Sequence, residues 1–199
     1  MANPTRPESP EKEFQRMSEI DIKDIKLSDE EFLRMTRYLS GAGDNVHDNR
    51  RRAVALGFTE PDVLIAPGAM VRMGPKGSVA QNVFIGLYSY VNGNVTIEEN
   101  VLIGPGCSLT AGQHKFDPAT GWFSARTEPT GDESIVIGTG SWLCTNVTVT
   151  PGVRIGRANL LCAGTVVTKD TADYAIMAGI PARQIGRIDP ETGDYHWDK

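Results

Sequence analysis

Aliphatic residues recur at every sixth position from Ile137 to Val167: Ile137, Leu143, Val149, Ile155, Leu161 and Val167. A small residue usually follows each (Gly138, Cys144, Thr150, Gly156, Cys162, Thr168). Four places after each stands a second short or β-branched side chain (Ser141, Val147, Val153, Asn159, Thr165, Thr171). A strict period of six cannot hold one face of an α-helix, but an even period keeps each aliphatic on the same side of an extended backbone. Short repeats of this kind predict a solenoid in which each unit buries its apolar side against the next. Three hexads then make one triangular coil, and residues eighteen apart stack at about 4.8 Å. Cys144 and Cys162, Ile137 and Ile155, and Thr150 and Thr168 are such pairs.

The same spacing appears earlier. Hexads begin near Ile65 and Val71, slip by two residues in MGPKGS, and resume at Val79, Ile85, Val91, Ile97, Ile103 and Leu109. One solenoid is predicted, not two domains. Residues 113–134 (QHKFDPATGWFSARTEPTGDES) lack the period and read as a loop that leaves the coil and returns at Ile135. A stretch of this length without pattern inside a repeat is usually functional. Upstream, Ser28 and Glu31 have the spacing of a capping box before an apolar stripe of Phe32, Leu33, Met35 and Leu39. A second helix is expected from Asp44 or Asn45 to Gly57. The expected organisation is a disordered 1–12, a helical segment at 13–62, the β-helix at 63–188 and a polar tail at 189–199.

Composition narrows the function. The formal charge is -5, against the basic field that nucleic acids or anionic membranes require. No apolar run is long enough to span a bilayer and the first residues contain no signal-peptide core, so a cytoplasmic location is the expectation. Three cysteines, Cys107, Cys144 and Cys162, all lie inside the hexads and read as core or wall residues rather than a disulfide framework.

Of the three histidines, His47 lies in the second helix and His196 in the tail, so His114 alone is in the solenoid, at the mouth of the long loop. An imidazole there can be both held and reachable, as a general base near neutral pH must be. A single solenoid His offers no converging ligand set for a metal. Basic residues gather late in the repeat (Arg154, Arg157, Lys169, Arg183, Arg187), either as a solvated edge or as a site for a phosphorylated cofactor.

The runs NVTIEENVLIGPGCSLTAGQHKFDP, SIVIGTGSWLCTNVTVTPGVRIGRANLLCAGTVVTKD and AGIPARQIGRI resemble the hexapeptide-repeat acetyltransferases, in particular the maltose and galactoside O-acetyltransferase group. The resemblance implies a left-handed parallel β-helix, a homotrimer with active sites between subunits, and acetyl-CoA as donor. It implies His114 as the base that deprotonates an acceptor hydroxyl and the backbone of Thr145 as an oxyanion donor. It places Trp142 and Ala163 along the CoA cleft, and Thr168, Lys169 and Arg183 near the nucleotide end.

The chain departs from that group in FIGLYSYVNGN, where Gly86 or Tyr88 falls near a family Asn and Asn92 takes the place of an acidic residue. Tyr88 and Asn92 are therefore the candidates for acceptor binding, and the acceptor side is altered while the donor side is kept. Trp122, Phe123 and Arg126 of the insert either close over an acceptor or anchor the loop. The expected activity is acetyl transfer to a hydroxyl of a sugar or sugar-like molecule. An antibiotic-acetylating enzyme of the same fold and a non-catalytic β-helix scaffold are the alternatives.

Overall fold

The computed structural model describes residues 28–37, 43–123 and 132–198. The chain winds into a left-handed parallel β-helix of about six turns. The first face stacks Leu64–Ile65, Phe84–Ile85, Leu102–Ile103, Trp142–Leu143, Leu160–Leu161 and Ala175–Ala178. A second face stacks Met70–Met73, Tyr90–Gly93, Ser108–Ala111, Thr148–Val149 and Val166–Val167, and a third stacks Ser78–Val79, Val95–Ile97, Ile135–Ile137 and Arg154–Ile155.

The expected pairs are in register: Ile137 opposite Ile155, and Leu143 opposite Leu161. The slip in MGPKGS is also present, since Val71 stands opposite Val91, twenty residues on. Across the insert, Ile103 faces Leu143 and Leu109 faces Val149, pairs 40 apart rather than 18; the 22 residues from 113 to 134 make up the difference.

Every hexad aliphatic from Val79 to Val167 is at most 5% exposed. Ser141, Val147, Val153, Asn159 and Thr165 are buried as well, so each hexad contributes two inward positions. The two serines of the inner row are tied into the ladder, whereas Thr165 Oγ1 and Asn159 Oδ1 are buried without a partner among the described residues. Ser89 Oγ donates to the Gly104 carbonyl at 2.9 Å and accepts the Cys107 N–H at 3.2 Å. Ser141, on a different corner, does the same, donating to Gly156 O and accepting from Asn159 N. Such pairing offsets the cost of burying a hydroxyl.

Burial pushes the Cys107 thiol up to about 11, and its Sγ donates to the Cys144 carbonyl at 3.0 Å. A thiol whose pKa is raised on folding keeps its proton in the native state while the unfolded chain ionises near its ordinary value. Its contribution to stability is therefore full below about pH 9 and is lost as pH rises towards 11. In urea titrations across that window, Cys107→Ala should show a shallower alkaline fall in stability than the parent chain. Equal slopes would mean that Cys107 is not the group responsible.

At the N-terminus, α1 (Asp29–Arg37) begins with the expected capping box: Ser28 N and Oγ both donate to Glu31 Oε2, and Glu31 N donates back to Ser28 Oγ. Its apolar stripe is not covered by the described residues, with Phe32 and Leu33 both more than half exposed. Leu39 and the disorder expected of residues 1–12 lie outside the described residues. The second helix, α2 (Val46–Ala55), is capped by Asn45, whose side chain accepts from Asp48 N.

Two arginines of α2 bind carbonyls of the first coil, while Arg51 stays on the surface beside Asp48. Arg50 donates to Val63 O and Thr59 O, and Arg52 to Ile65 O. With Ala53 fully buried, α2 is attached to the start of the β-helix.

At the other end the expected polar tail is partly ordered as sheet. Arg183–Ile188 runs antiparallel to Ala175–Ala178, and Tyr195–Trp197 pairs antiparallel with it in turn. Asp189 Oδ1 accepts the Glu191 and Thr192 N–H groups and so builds the intervening turn from the residues that made the tail read as polar. With only three residues in the strand, no alternation was long enough to reveal it.

Candidate functional site

The predicted site residues occupy two different corners of the prism. Turns from the first to the second face stack through backbone bonds: Gly106 N to Leu87 O, Asn146 N to Pro105 O, and Gly164 N to Thr145 O, each 2.8–2.9 Å. Thr145 and Ala163 therefore sit on successive coils of this corner, both exposed, each followed by a residue with positive φ (Asn146 +59°, Gly164 +71°). The side chains are small, so the backbone itself forms the wall. Trp142 stands on the adjoining outer surface of the first face, half exposed, between Leu102 and Leu160. Arg183 also belongs to this end: Ala182 N donates to Val166 O, placing Arg183 over the start of the second face.

Tyr88 lies lower on the same corner, 61% exposed at φ +57°. Of the two candidates near the family Asn, Tyr88 is the one that can present a side chain. A Cβ on Gly86 would come within 2.7 Å of Gly104 C and Ile103 O, backbone atoms of the next coil. Sequence reasoning had no means of separating the two, because the obstruction comes from a neighbouring turn. The Tyr88 ring lies against Gly68 of the coil below, where any side chain would collide with it.

His114 belongs to the second corner. The strand Ser108–Ala111 ends the second face there, Gly112 turns the chain outward at φ +155°, and Gln113 and His114 follow, both exposed. Asn92 pairs with Thr110 on the ladder beneath and is half-buried. Thr168 and Lys169 are exposed at the same corner two coils above, following Val167. From Ala163 to Thr168 the chain crosses the second face in five residues, at most about 16 Å at the strand rise. A single chain thus separates the Thr145–Ala163 wall from His114.

The late basic residues do gather at one end of the axis, but not on one side. Arg154 is on the third face, Arg157 packs over the Tyr174 ring at 5.5 Å on the third corner, and Arg187 faces Ala175. Lys169 and Arg183 remain as exposed cations on the corners that carry the other candidates.

The insert opens with a hairpin, Phe116–Asp117 against Trp122–Phe123, held by an edge-on Phe116–Phe123 contact at 5.6 Å. Trp122 and Phe123 are two-thirds exposed; Arg126 lies outside the described residues. Beside Thr145, half-burial and the neighbouring Cys162 both raise the Cys144 thiol, which opposes a thiolate nucleophile there. Among the described residues no three His, Cys, Asp or Glu side chains converge as a metal ligand set.

No protein-family model matches the chain. It is 31% identical to the galactoside O-acetyltransferase of Escherichia coli K12 over 128 residues, which cover 60% of this chain and 61% of that protein. It is 29% identical to a chloramphenicol acetyltransferase of Klebsiella aerogenes over 107 residues, 44% of this chain and 51% of the relative. The chain thus spans between half and two-thirds of the length of these relatives. Among solved structures, a maltose O-acetyltransferase from Clostridium difficile 630 superposes with a TM-score of 0.56 at 23% identity, covering 79% of this chain and 84% of the other. In sequence and in fold the chain resembles the hexapeptide-repeat acetyltransferases, with sugar O-acetyltransferases among its relatives.

Proposed function

We propose that the protein transfers an acetyl group from acetyl-CoA to a hydroxyl of a sugar or sugar-like small molecule. The observation that carries this reading is the division of the candidate residues between two corners of one prism. The first corner offers a smooth backbone wall at Thr145 and Ala163, flanked by Trp142 and by the Arg183 cation. The second offers His114 on the lip of the insert, with Lys169 above it. Each corner is half a site, and apposing the first corner of one copy to the second corner of another completes it. A homotrimer makes three such junctions.

In this reading the pantetheine arm runs along the wall, and Lys169 and Arg183 meet the phosphates, Lys as a point charge and Arg as a fork. His114 accepts the proton of the acceptor hydroxyl as its oxygen attacks the thioester carbonyl. The negative charge that develops on the carbonyl oxygen is met by the Thr145 N–H, a donor already in place before reaction. Collapse of the tetrahedral species expels CoA as thiolate, which takes up a proton, and the acetyl ester leaves with the acceptor. No metal enters this scheme. Tyr88 and Asn92 face the acceptor side, and a cytoplasmic location fits the donor.

A second reading, acetylation of an antibiotic, is favoured by the changed acceptor residues and by the chloramphenicol acetyltransferase relative. Donor binding is common to both. Calorimetric titration with acetyl-CoA should show micromolar binding, weakened about tenfold or more by Lys169→Ala or Arg183→Ala, the loss expected for one charge-assisted phosphate contact. Absence of heat at millimolar acetyl-CoA would turn the assignment towards a non-catalytic scaffold.

A further inference from the structure

We infer that Glu133, acting through Gln113, is a positioning residue for His114; this rests on the reading of His114 as the base. The insert leaves the solenoid and rejoins it at a narrow neck. On the return side, Glu133 is already part of the solenoid: its carbonyl accepts the Gly152 N–H of the coil above at 3.0 Å, and Ile135, two residues on, donates to Asn94 O and is fully buried. On the departing side, the last residue on the parallel ladder is Ala111, opposite Gly93. His114 stands three residues beyond it, after a glycine in a backbone conformation that only glycine adopts freely.

Gln113 Nε2 donates to Glu133 Oε1 at 3.3 Å, and a Cβ on Gly112 would lie 4.0 Å from Glu133 Oε2. The Glu133 carboxylate therefore spans the neck of the insert and ties the tripeptide that carries His114 to the corner ladder. A base must be held to within about 0.5 Å of its working position, and a misplacement of about 1 Å can cost 10²-fold in rate. An anchored partner one residue from the imidazole supplies that restraint without touching the reactants. The 22-residue insert can then vary beyond the neck while the base stays in place.

The test combines a structural and a kinetic readout. With Cε1-labelled histidine, relaxation measurements on the full chain report the ring order of His47, His114 and His196 separately. Glu133→Ala should lower the order of the His114 ring and leave the other two unchanged. Glu133→Gln, which keeps an acceptor oxygen, should retain it. Gln113→Glu, which sets two carboxylates together, should behave like Glu133→Ala, and the Gln113→Glu/Glu133→Gln double variant should recover.

Acetyl-CoA turnover with methyl β-galactoside and with chloramphenicol as probe acceptors supplies the second arm. Glu133→Ala should lower kcat about tenfold with the KM for acetyl-CoA within twofold, and the swapped pair should restore kcat. Unchanged ring order in Glu133→Ala would overturn the inference whatever the turnover shows. So would an equal kinetic loss in Glu133→Gln and the swapped pair. If His114→Ala leaves turnover intact while ring order follows the clamp, the base assignment fails and the clamp stands as structure alone.

Discussion

Replacing His114 by alanine should lower acetyl transfer at least 10²-fold, the range set by loss of a general base, while acetyl-CoA affinity measured by calorimetry stays within about twofold. The reason is spatial. His114 is at the second corner, whereas Thr145, Ala163 and Arg183 are at the first, so the width of the second face lies between the imidazole and the donor wall of its own chain. Removing the ring creates no buried cavity, because His114 is exposed, so thermal unfolding should be almost unaffected. A parallel loss of affinity and turnover would identify His114 as part of the donor site instead. Full activity in the alanine variant would remove it from the chemistry.

The second large effect concerns Gly86. Asparagine there, the residue of the sugar-acetylating pattern, would force a Cβ to within 2.7 Å of the Gly104 carbonyl carbon. The same rung carries the Gly86 N–H to Ile103 O bond at 2.8 Å, so the coil cannot open without weakening its own ladder. Overpacking of this kind costs typically 1–3 kcal/mol, and backbone rather than a flexible side chain must move, which points to the top of that range. For a chain of this size the midpoint should fall by roughly 10 °C. Tyr88→Asn should melt within about 3 °C of the parent, because the better tolerance of Asn for positive φ offsets the weaker packing on Gly68. If Gly86→Asn melts with the parent, the coils are not as tightly apposed at this rung as the geometry requires. If Tyr88 does belong to the acceptor side, Tyr88→Asn should also change the ratio of turnover with galactoside and with chloramphenicol.

Much of the fold could be read from the chain because the repeat is local. Each hexad states which two side chains face inward, and Leu143 and Ser141 do so without reference to any distant residue. The insert was legible for the same reason, since it breaks the period after Leu109 and restores it at Ile135. The two helix starts were legible from Ser28–Glu31 and Asn45, where capping is a bond between close neighbours. What escaped was non-local or too short for a pattern. The Tyr195–Trp197 strand exists because Arg183–Ile188 offers it an edge. The carbonyl partners of Arg50 and Arg52 lie up to thirteen residues away, beyond the reach of any helix-spacing pattern. The Gln113–Glu133 contact joins residues on opposite sides of the insert, and neither stands out alone.

The sequence by itself determined the coil, its period, its inward residues, the place where the chain leaves it and the identity of the one solenoid histidine. Those features depend on a period-two backbone and on neighbours within a few residues. Tertiary structure alone decided which corner each candidate occupies, because a corner is assigned by counting turns around the prism and across the 22-residue insert. It also decided between Gly86 and Tyr88, since the space at a rung is set by the backbone stacked on it. The basic residues that are consecutive along the axis were distributed around it by the same winding, leaving Lys169 and Arg183 on separate edges of one face.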